Sequence, residues 1–202
     1  VSLQSCAGAL SYITRQATAA KNGDTSSSWT NCYMKNIKPL TPGRKIAARA
    51  RTLSFLPPRP DMAAKLRRGE NSPEFEAMES CGPGDILVID ANRMSQLGIL
   101  GNMKTRLLWQ RGATGLITDA SVRDLDKVRD DYGMAVFGAG RSAITGLAGS
   151  PFHEVNVPIS CDGVLVVPGD VMVADDDGVV VIPQQLAEQV IDWIEEHDQV
   201  ED

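Results

Sequence analysis

Hydrophobic and polar positions change period several times along the chain, and each change predicts an element. Residues 1 to 21 carry Leu3, Ala7, Leu10 and Ile13 near helical spacing, and Asn22-Gly23-Asp24, then Thr25 and three serines, end that helix in a loop. Pro42-Gly43 turns the chain into KIAARARTLSFL, where Ala48, Ala50 and Thr52 alternate with Arg49, Arg51 and Leu53 in the two-residue period of a strand. Pro57, Pro58 and Pro60 open an irregular stretch reaching Asn71. Ser72-Pro73 then supplies an N-cap and a first helical residue for PEFEAMES.

Short apolar runs follow, introduced by Pro-Gly turns: DILVID after Pro83-Gly84 and VMVAD after Pro168-Gly169. Between them Met103, Leu107 and Leu108 share a helical face, GLITD from Gly115 to Asp119 reads as a buried strand, and SVRDLDKVRDDY reads as a helix. Beyond residue 150 the runs VNVPIS, VLVVP, VMVAD and VVVIP are strands. Pro183 starts a last helix with Leu186, Val190 and Ile194 on one face. The alternation of strand and helix predicts an α/β core, and with no shift in composition residues 1–202 read as a single domain. ADDDG, lying between two β-rich runs, predicts a hairpin turn, and Asp170 in the second PGD reads as a turn residue.

Composition narrows the function. No apolar run approaches the roughly 18 residues of a membrane helix, and the opening segment lacks the basic lead and continuous hydrophobic run of a secretory signal. Twenty Lys and Arg against 26 Asp and Glu leave a net charge of −6, which argues against nucleic acid as a partner. The one basic cluster, Lys65, Arg67 and Arg68, reads as a solvated loop. Cys6, Cys32, Cys81 and Cys161 lie far apart with no CxxC pair, so neither a zinc site nor a disulfide framework is expected. The expectation is four reduced, mostly buried thiols in a cytoplasmic protein. His153 and His197 are too few for a Ser/His/Asp reading, and His197 sits in a charged tail that reads as solvated.

Two helix starts carry polar groups that could converge. At Leu100-Gly101-Asn102-Met103-Lys104 the first-turn N–H groups lack helical partners and favour an anion, such as a carboxylate or enolate oxygen, with Gly101 allowing close approach; alternatively Asn102 simply caps the helix. At Asp119-Ala120-Ser121-Val122-Arg123-Asp124 the fork of Arg123 suits a carboxylate and Asp124 offers hard oxygen to Mg²⁺. The alternative there is a capping box between Ser121 and Asp124.

The block GNMKTRLLWQRGATGLITDASVRDLDKV resembles the RraA-like family, which includes divalent-metal-dependent 4-hydroxy-4-methyl-2-oxoglutarate aldolases and regulators of ribonuclease E. The likeness continues through NVPISCDGVLVVPGDVMVADDDGVVVIP and reaches back to IKPLTPGRKIAARARTL, covering most of the chain from about residue 30. The family's older label as a menaquinone methyltransferase would require an S-adenosylmethionine site, and no glycine-rich strand-to-helix loop supplies one. The resemblance implies an α/β fold of the layered β/β/α swivelling-domain type, assembled as a homotrimer or hexamer with sites between subunits. It implies that Arg123 grips the carboxylate of a small 2-oxo acid, that Asp124 contacts Mg²⁺ or Mn²⁺, and that the amides of Met103 and Lys104 bind a substrate oxygen beside Gly101. An acid from a neighbouring subunit can approach the metal in this family. Here Glu195, Glu196, Glu201 and Asp202 read as a solvated face, with register too loose to choose one.

One position departs from the aldolase pattern. Where the aldolases carry Asp, this chain has Asn102, which keeps the hydrogen-bonding shape and loses the basicity used in proton transfer. The reading is a class II type pyruvate aldolase or decarboxylase: retro-aldol cleavage of a 4-hydroxy-2-oxo acid, oxaloacetate decarboxylation through a pyruvate enolate, or both. The alternatives are a non-catalytic regulatory binding protein and a dehydratase acting on a sugar-acid derivative.

Overall fold

The computed structural model describes residues 6–20, 31–57, 59–63, 69–145 and 152–201. The first helix, α1 (Cys6–Ala20), begins inside the expected span; Leu3 and the Asn22-Gly23-Asp24 turn lie outside the described residues. After β1 (Lys38–Pro39), the alternating run forms β2 (Ile46–Phe55), the longest strand. The proline-rich stretch holds a single helical turn, α2 (Pro60–Ala63), and a 3₁₀ turn over Gly69–Asn71, while Lys65, Arg67 and Arg68 lie outside the described residues. Ser72 caps α3 (Pro73–Glu79) as expected, its hydroxyl accepting the N–H of Phe75 at 3.5 Å with Pro73 leading the helix.

Next come β3 (Asp85–Asp90), β4 (Gly98–Leu100), α4 (Asn102–Gln110), β5 (Gly115–Thr118), β6 (Ser121–Val122), α5 (Leu125–Asp130), β7 (Ala135–Gly138) and β8 (Gly140–Arg141). The carboxyl third supplies β9 (Phe152–Val155), β10 (Ile159–Cys161), β11 (Val164–Val166), β12 (Val171–Asp175), β13 (Gly178–Ile182), a 3₁₀ turn and α6 (Ala187–Glu201). The expected helix SVRDLDKVRDDY is shorter than its pattern suggested. Ser121 and Val122 belong to a strand, and the helix begins only at Leu125.

Eight strands make the main sheet, in the order β1-β7-β5-β3-β2-β12-β13 with β9 also on β2. The β2–β3, β3–β5 and β5–β7 pairs are parallel, and β12 joins β2 antiparallel. One segment nearly closes the sheet on itself: Val181 and Met34 donate to Cys32 and Val179 across β13, while Lys38 and Pro39 pair with Gly138 and Phe137 of β7. Between Asp85 and Asp90 the run Ile86–Ile89 is apolar at every position because both of its faces are covered. Leu87 and Ile89 face the layer of α3, α4 and α5, whereas Ile86 and Val88 face the β10–β11 hairpin. Helices α1 and α6 cover β12 and β13 through Ile13, Val190 and Ile194. This is the mixed α/β layering the resemblance implied.

The two PGD turns are built alike. Asp85 accepts the N–H of Gly82 at 3.1 Å and Asp170 that of Val167 at 2.9 Å, with Gly84 and Gly169 at φ of 80° and 99°. The ADDDG hairpin joins β12 to β13 by Asp176 and Asp177, as its pattern predicts. Gly115 has a different reason: a Cβ there would lie 2.2 Å from the carbonyl oxygen of Ala135, its partner on β7, so only glycine lets the two strands pair. All four cysteines are free and buried, and burial pushes the thiols of Cys6 and Cys81 up to about 12, consistent with packing rather than chemistry. No helix among the described residues is long and apolar enough to cross a membrane.

Candidate functional site

Three short parallel strands, β4, β6 and β8, end side by side, each running into a loop that carries polar groups. Ligands of α/β proteins bind in such crevices at the carboxyl ends of parallel strands. Here Leu100 leads to Gly101 and Asn102, Val122 leads to Arg123 and Asp124, and Arg141 leads to Ser142. Asn102, Arg123, Asp124, Arg141 and Ser142 line one cavity of about 530 Å³.

The two helix starts singled out in the sequence meet here. Asp124 Oδ2 accepts the backbone N–H of Asn102 at 3.1 Å, across 22 positions of chain. Asp124 stands at the cap position of α5 in the left-handed region, φ 57° and ψ 30°, yet its side chain makes no capping bond to that helix. Its carboxylate instead meets the first amide of α4, where negative charge is favoured by the helix dipole. A left-handed backbone is uncommon outside glycine and aims the side chain away from its own helix. The capping box of Ser121 and Asp124 is therefore not formed; Ser121 sits in β6 and its hydroxyl donates to the carbonyl of Ser95. Nor does Asn102 cap α4. Gly101 holds the cap position and Asn102 is the first helical residue.

Gly101 makes this arrangement possible through space rather than conformation. A Cβ on Gly101 would stand 2.5 Å from Asp124 Oδ2 and 2.8 Å from Arg123 Nε, so both side chains rest against its bare Cα. Arg123 Nε is buried and has no hydrogen-bond partner among the described residues. A buried donor left unmatched costs free energy that an incoming carboxylate recovers, and the guanidinium fork suits that ligand.

The first-turn amides of α4 are not equivalent. The N–H of Asn102 is taken by Asp124, and those of Lys104 and Thr105 both reach Gly101 O at 3.1 Å. Met103 N–H has no partner among the described residues. Of the two amides the resemblance assigns to a substrate oxygen, Met103's is open and Lys104's is engaged within its own turn. The Met103 side chain is 73% exposed rather than part of the core face, which is carried by Thr105 and Leu108. Lys104 sends its ammonium to Glu74 of α3, with Nζ 2.5 Å from Oε1 and the Glu74 side chain 3% exposed. Burial pushes the Glu74 carboxyl up, and Lys104 opposes that shift.

The acids of the two turns singled out in the sequence are structural acceptors. Asp175 takes the N–H groups of Cys6 and Asp177, Asp176 that of Gly43, and Asp170 those of Val167 and Gln184. Glu196 is exposed, while the side chains of Glu195 and Glu201, together with Asp202, lie outside the described residues. No group of three or more His, Cys, Asp or Glu that could hold a metal occurs among the described residues. The oxygen donors lining the cavity are the carboxylates of Asp124 and Asp126, the Asn102 amide oxygen and the Ser142 hydroxyl, of which Asp124 and Asn102 meet directly. A hard cation that keeps several waters and binds through one or two carboxylates fits such a set, whereas zinc, which prefers nitrogen and sulfur, does not.

Arg141, Ser142 and Lys127 were not singled out from the sequence. The only signal for Arg141 was the apolar AVFG run ahead of it, which marks a strand whose carboxyl end would carry the following Gly-Arg pair.

Residues 23–181 match the RraA-like family model, Aldolase/RraA. The chain is 32% identical over 155 residues to a Halalkalibacterium halodurans protein named "Putative 4-hydroxy-4-methyl-2-oxoglutarate aldolase", covering 77% of this chain and 68% of that one. It is 30% identical to the 4-hydroxy-4-methyl-2-oxoglutarate aldolase of Thermus thermophilus over 57% of this chain and 69% of the relative. Among solved structures, Streptomyces coelicolor RraAS2, described as an unusual member of the RNase ES inhibitor RraA protein family, superposes with a TM-score of 0.79 at 30% identity, covering 98% of this chain and 89% of that one.

Proposed function

This chain belongs to the RraA-like (Aldolase/RraA) family, and from that premise we propose that it is a divalent-metal-dependent lyase breaking a carbon–carbon bond beside the carbonyl of a small 2-oxo acid. The observation that carries the reading is the packing of Arg123 and Asp124 against Gly101, with the Arg123 Nε donor buried and unmatched.

In this reading Arg123 binds the substrate carboxylate and Met103 N–H donates to the oxygen that gains negative charge as the bond breaks. Asp124 holds Mg²⁺ or Mn²⁺, which when bound supplies polarisation of the 2-oxo group. Asp124 also fixes the start of α4 through Asn102 N–H, so the open amide and the carboxylate ligand share one frame. Asn102 can hold a hydroxyl by hydrogen bonding and cannot take its proton. Retro-aldol cleavage needs that proton removed; loss of CO₂ from oxaloacetate does not. Oxaloacetate decarboxylation is therefore the favoured reaction.

The test is pyruvate release from oxaloacetate and from 4-hydroxy-2-oxo acids, with and without added Mg²⁺. Release from oxaloacetate that depends on the cation and exceeds the metal-only control is the expected result. With neither substrate turned over, the regulatory reading moves ahead, since a relative of RNase inhibitor kind covers nearly the whole chain and Asn102 lacks the aldolase acid. The proposed assembly is a trimer or a hexamer. Light scattering should give three chains or a multiple of three, and a fully active monomer would remove any contribution from a neighbouring subunit.

A further inference from the structure

The chain between β3 and β4 is tied to the small sheet whose loops carry Arg123 and Asp124. Asp119, at the carboxyl end of β5 and two residues before β6, is buried, and its carboxylate accepts three backbone N–H groups. Oδ1 takes that of Ala91 at 2.7 Å, and Oδ2 takes those of Arg93 at 3.0 Å and Asp162 at 3.5 Å. Asn92 and Arg93 both lie in the left-handed region, each at φ 54°. Backbone of that kind persists where its surroundings hold it, and here one carboxylate grips the N–H groups on either side of Asn92.

Further along, the same segment is fixed from two more sides. Ser121 of β6 donates its hydroxyl to Ser95 O and its N–H to Leu97 O, while Ser142, after β8, donates its hydroxyl to Gln96 O at 2.7 Å. Gly98 then enters β4 opposite Ser121, and Leu100 stands opposite Val122. That entry leaves no slack, since a Cβ on Gly98 would lie 2.5 Å from Ser142 O. Gly101, against which Arg123 and Asp124 pack, follows β4 directly. Burial pushes the Asp119 carboxyl up, and the amides of Ala91 and Arg93 oppose that shift while the charge of Asp90 adds to it. An ionised carboxylate is costly in such a place, and the amides it gathers offset the cost.

We infer that Asp119 is a positioning residue: by fixing residues 91–97 it sets the register of β4 against β6, and so the approach of Gly101 and the α4 amides to Arg123 and Asp124. The inference rests on the 2-oxo acid reading for its rate effect, and it names a residue outside the cavity lining on which that site depends. Asp119→Asn replaces one acceptor oxygen with an NH₂ group that faces a backbone N–H, so one side of the turn at Asn92 is released. Asp170 makes the matching comparison. It is also buried and accepts two N–H groups, but on the turn before β12, and it does not line the cavity.

Amide hydrogen exchange tests this without turnover, because Asn102 N–H is held by Asp124 in the wild type. Asp119→Asn is expected to speed exchange at Asn102 by about tenfold or more. It should also weaken Mg²⁺ binding in calorimetry several-fold and lower kcat/KM for oxaloacetate about tenfold, short of the full effect of a 1 Å displacement. Asp170→Asn should lower the thermal midpoint to a similar degree and leave all three quantities unchanged. Ser121→Ala, a milder release of the same segment, should move them a few-fold in the same direction, and it decides the matter where Asp119→Asn does not fold. Adding Asp119→Asn to Gly101→Ala should deepen the kcat/KM loss little, since both changes act on one contact. Equal effects of Asp119→Asn and Asp170→Asn, or unaltered exchange at Asn102, overturn the positioning role. A wild-type protein that neither binds Mg²⁺ nor turns over oxaloacetate defeats the 2-oxo acid reading by itself, and exchange at Asn102 then decides the role of Asp119 alone.

Discussion

Gly101→Ala is expected to lower kcat/KM for oxaloacetate by at least about 10²-fold with little loss of fold, because misplacement of reacting groups by about 1 Å costs that much. The added methyl would stand 2.5 Å from Asp124 Oδ2 and 2.8 Å from Arg123 Nε, so both side chains must move to admit it. Gly101 has ordinary extended backbone, and alanine itself is under no conformational strain there. The effect should therefore appear in steady-state rates and in Mg²⁺ affinity rather than in the thermal midpoint. Asp124→Asn separates the two duties of that residue. The amide oxygen of Asn can still accept Asn102 N–H and keep α4 in place, but it is a weaker ligand for a hard cation, so metal-dependent turnover should be lost in a protein that still folds. Wild-type rates and cation affinity in Asp124→Asn would leave the carboxylate as a helix acceptor alone and sink the metal assignment.

Asn102→Asp should have the opposite sign on one reaction. General-base assistance is worth on the order of 10² to 10⁴ in rate, and cleavage of 4-hydroxy-2-oxo acids should rise toward that range once a carboxylate replaces the amide. Asn102 is the first residue of α4, where an acid is favoured by the helix dipole by about 0.3–1 kcal/mol, so the fold should accept the change. Oxaloacetate decarboxylation serves as the internal control. In the proposed reading it uses Arg123 and the cation but needs no hydroxyl proton removed, and its rate should change far less. Parallel changes in both reactions, or no gain in aldol cleavage with cation binding retained, would show that position 102 is not where the base acts.

The sequence pattern accounts for most of the elements and for the two segments that meet at the cavity. Ser72-Pro73 predicted the start of α3, the alternation of residues 46–55 predicted β2, and the PGD and ADDDG turns predicted where strands begin and reverse. These signals are local: burial on one face, a missing N–H or a turn geometry constrains residues a few positions apart, so a linear pattern records them. The resemblance added the meeting of Gly101, Asn102, Arg123 and Asp124, which periodicity alone does not show.

Tertiary structure decided what each of those residues does. Ser121 and Asp124 have nearly capping-box spacing, yet the strand pairing of β6 with β4 draws Ser121 into a sheet, and the left-handed backbone at Asp124 sends its carboxylate to the neighbouring helix. The engagement of Lys104 with Glu74 and the open Met103 amide also follow from how α4 sits against α3 and its own first turn. Arg141 entered the cavity only because β8 lies in register beside β6. Residue types and their local periods are written along the chain. The choice among several chemically equivalent partners is made by parallel strands brought together through crossover helices, and that pairing between distant segments has no local signature.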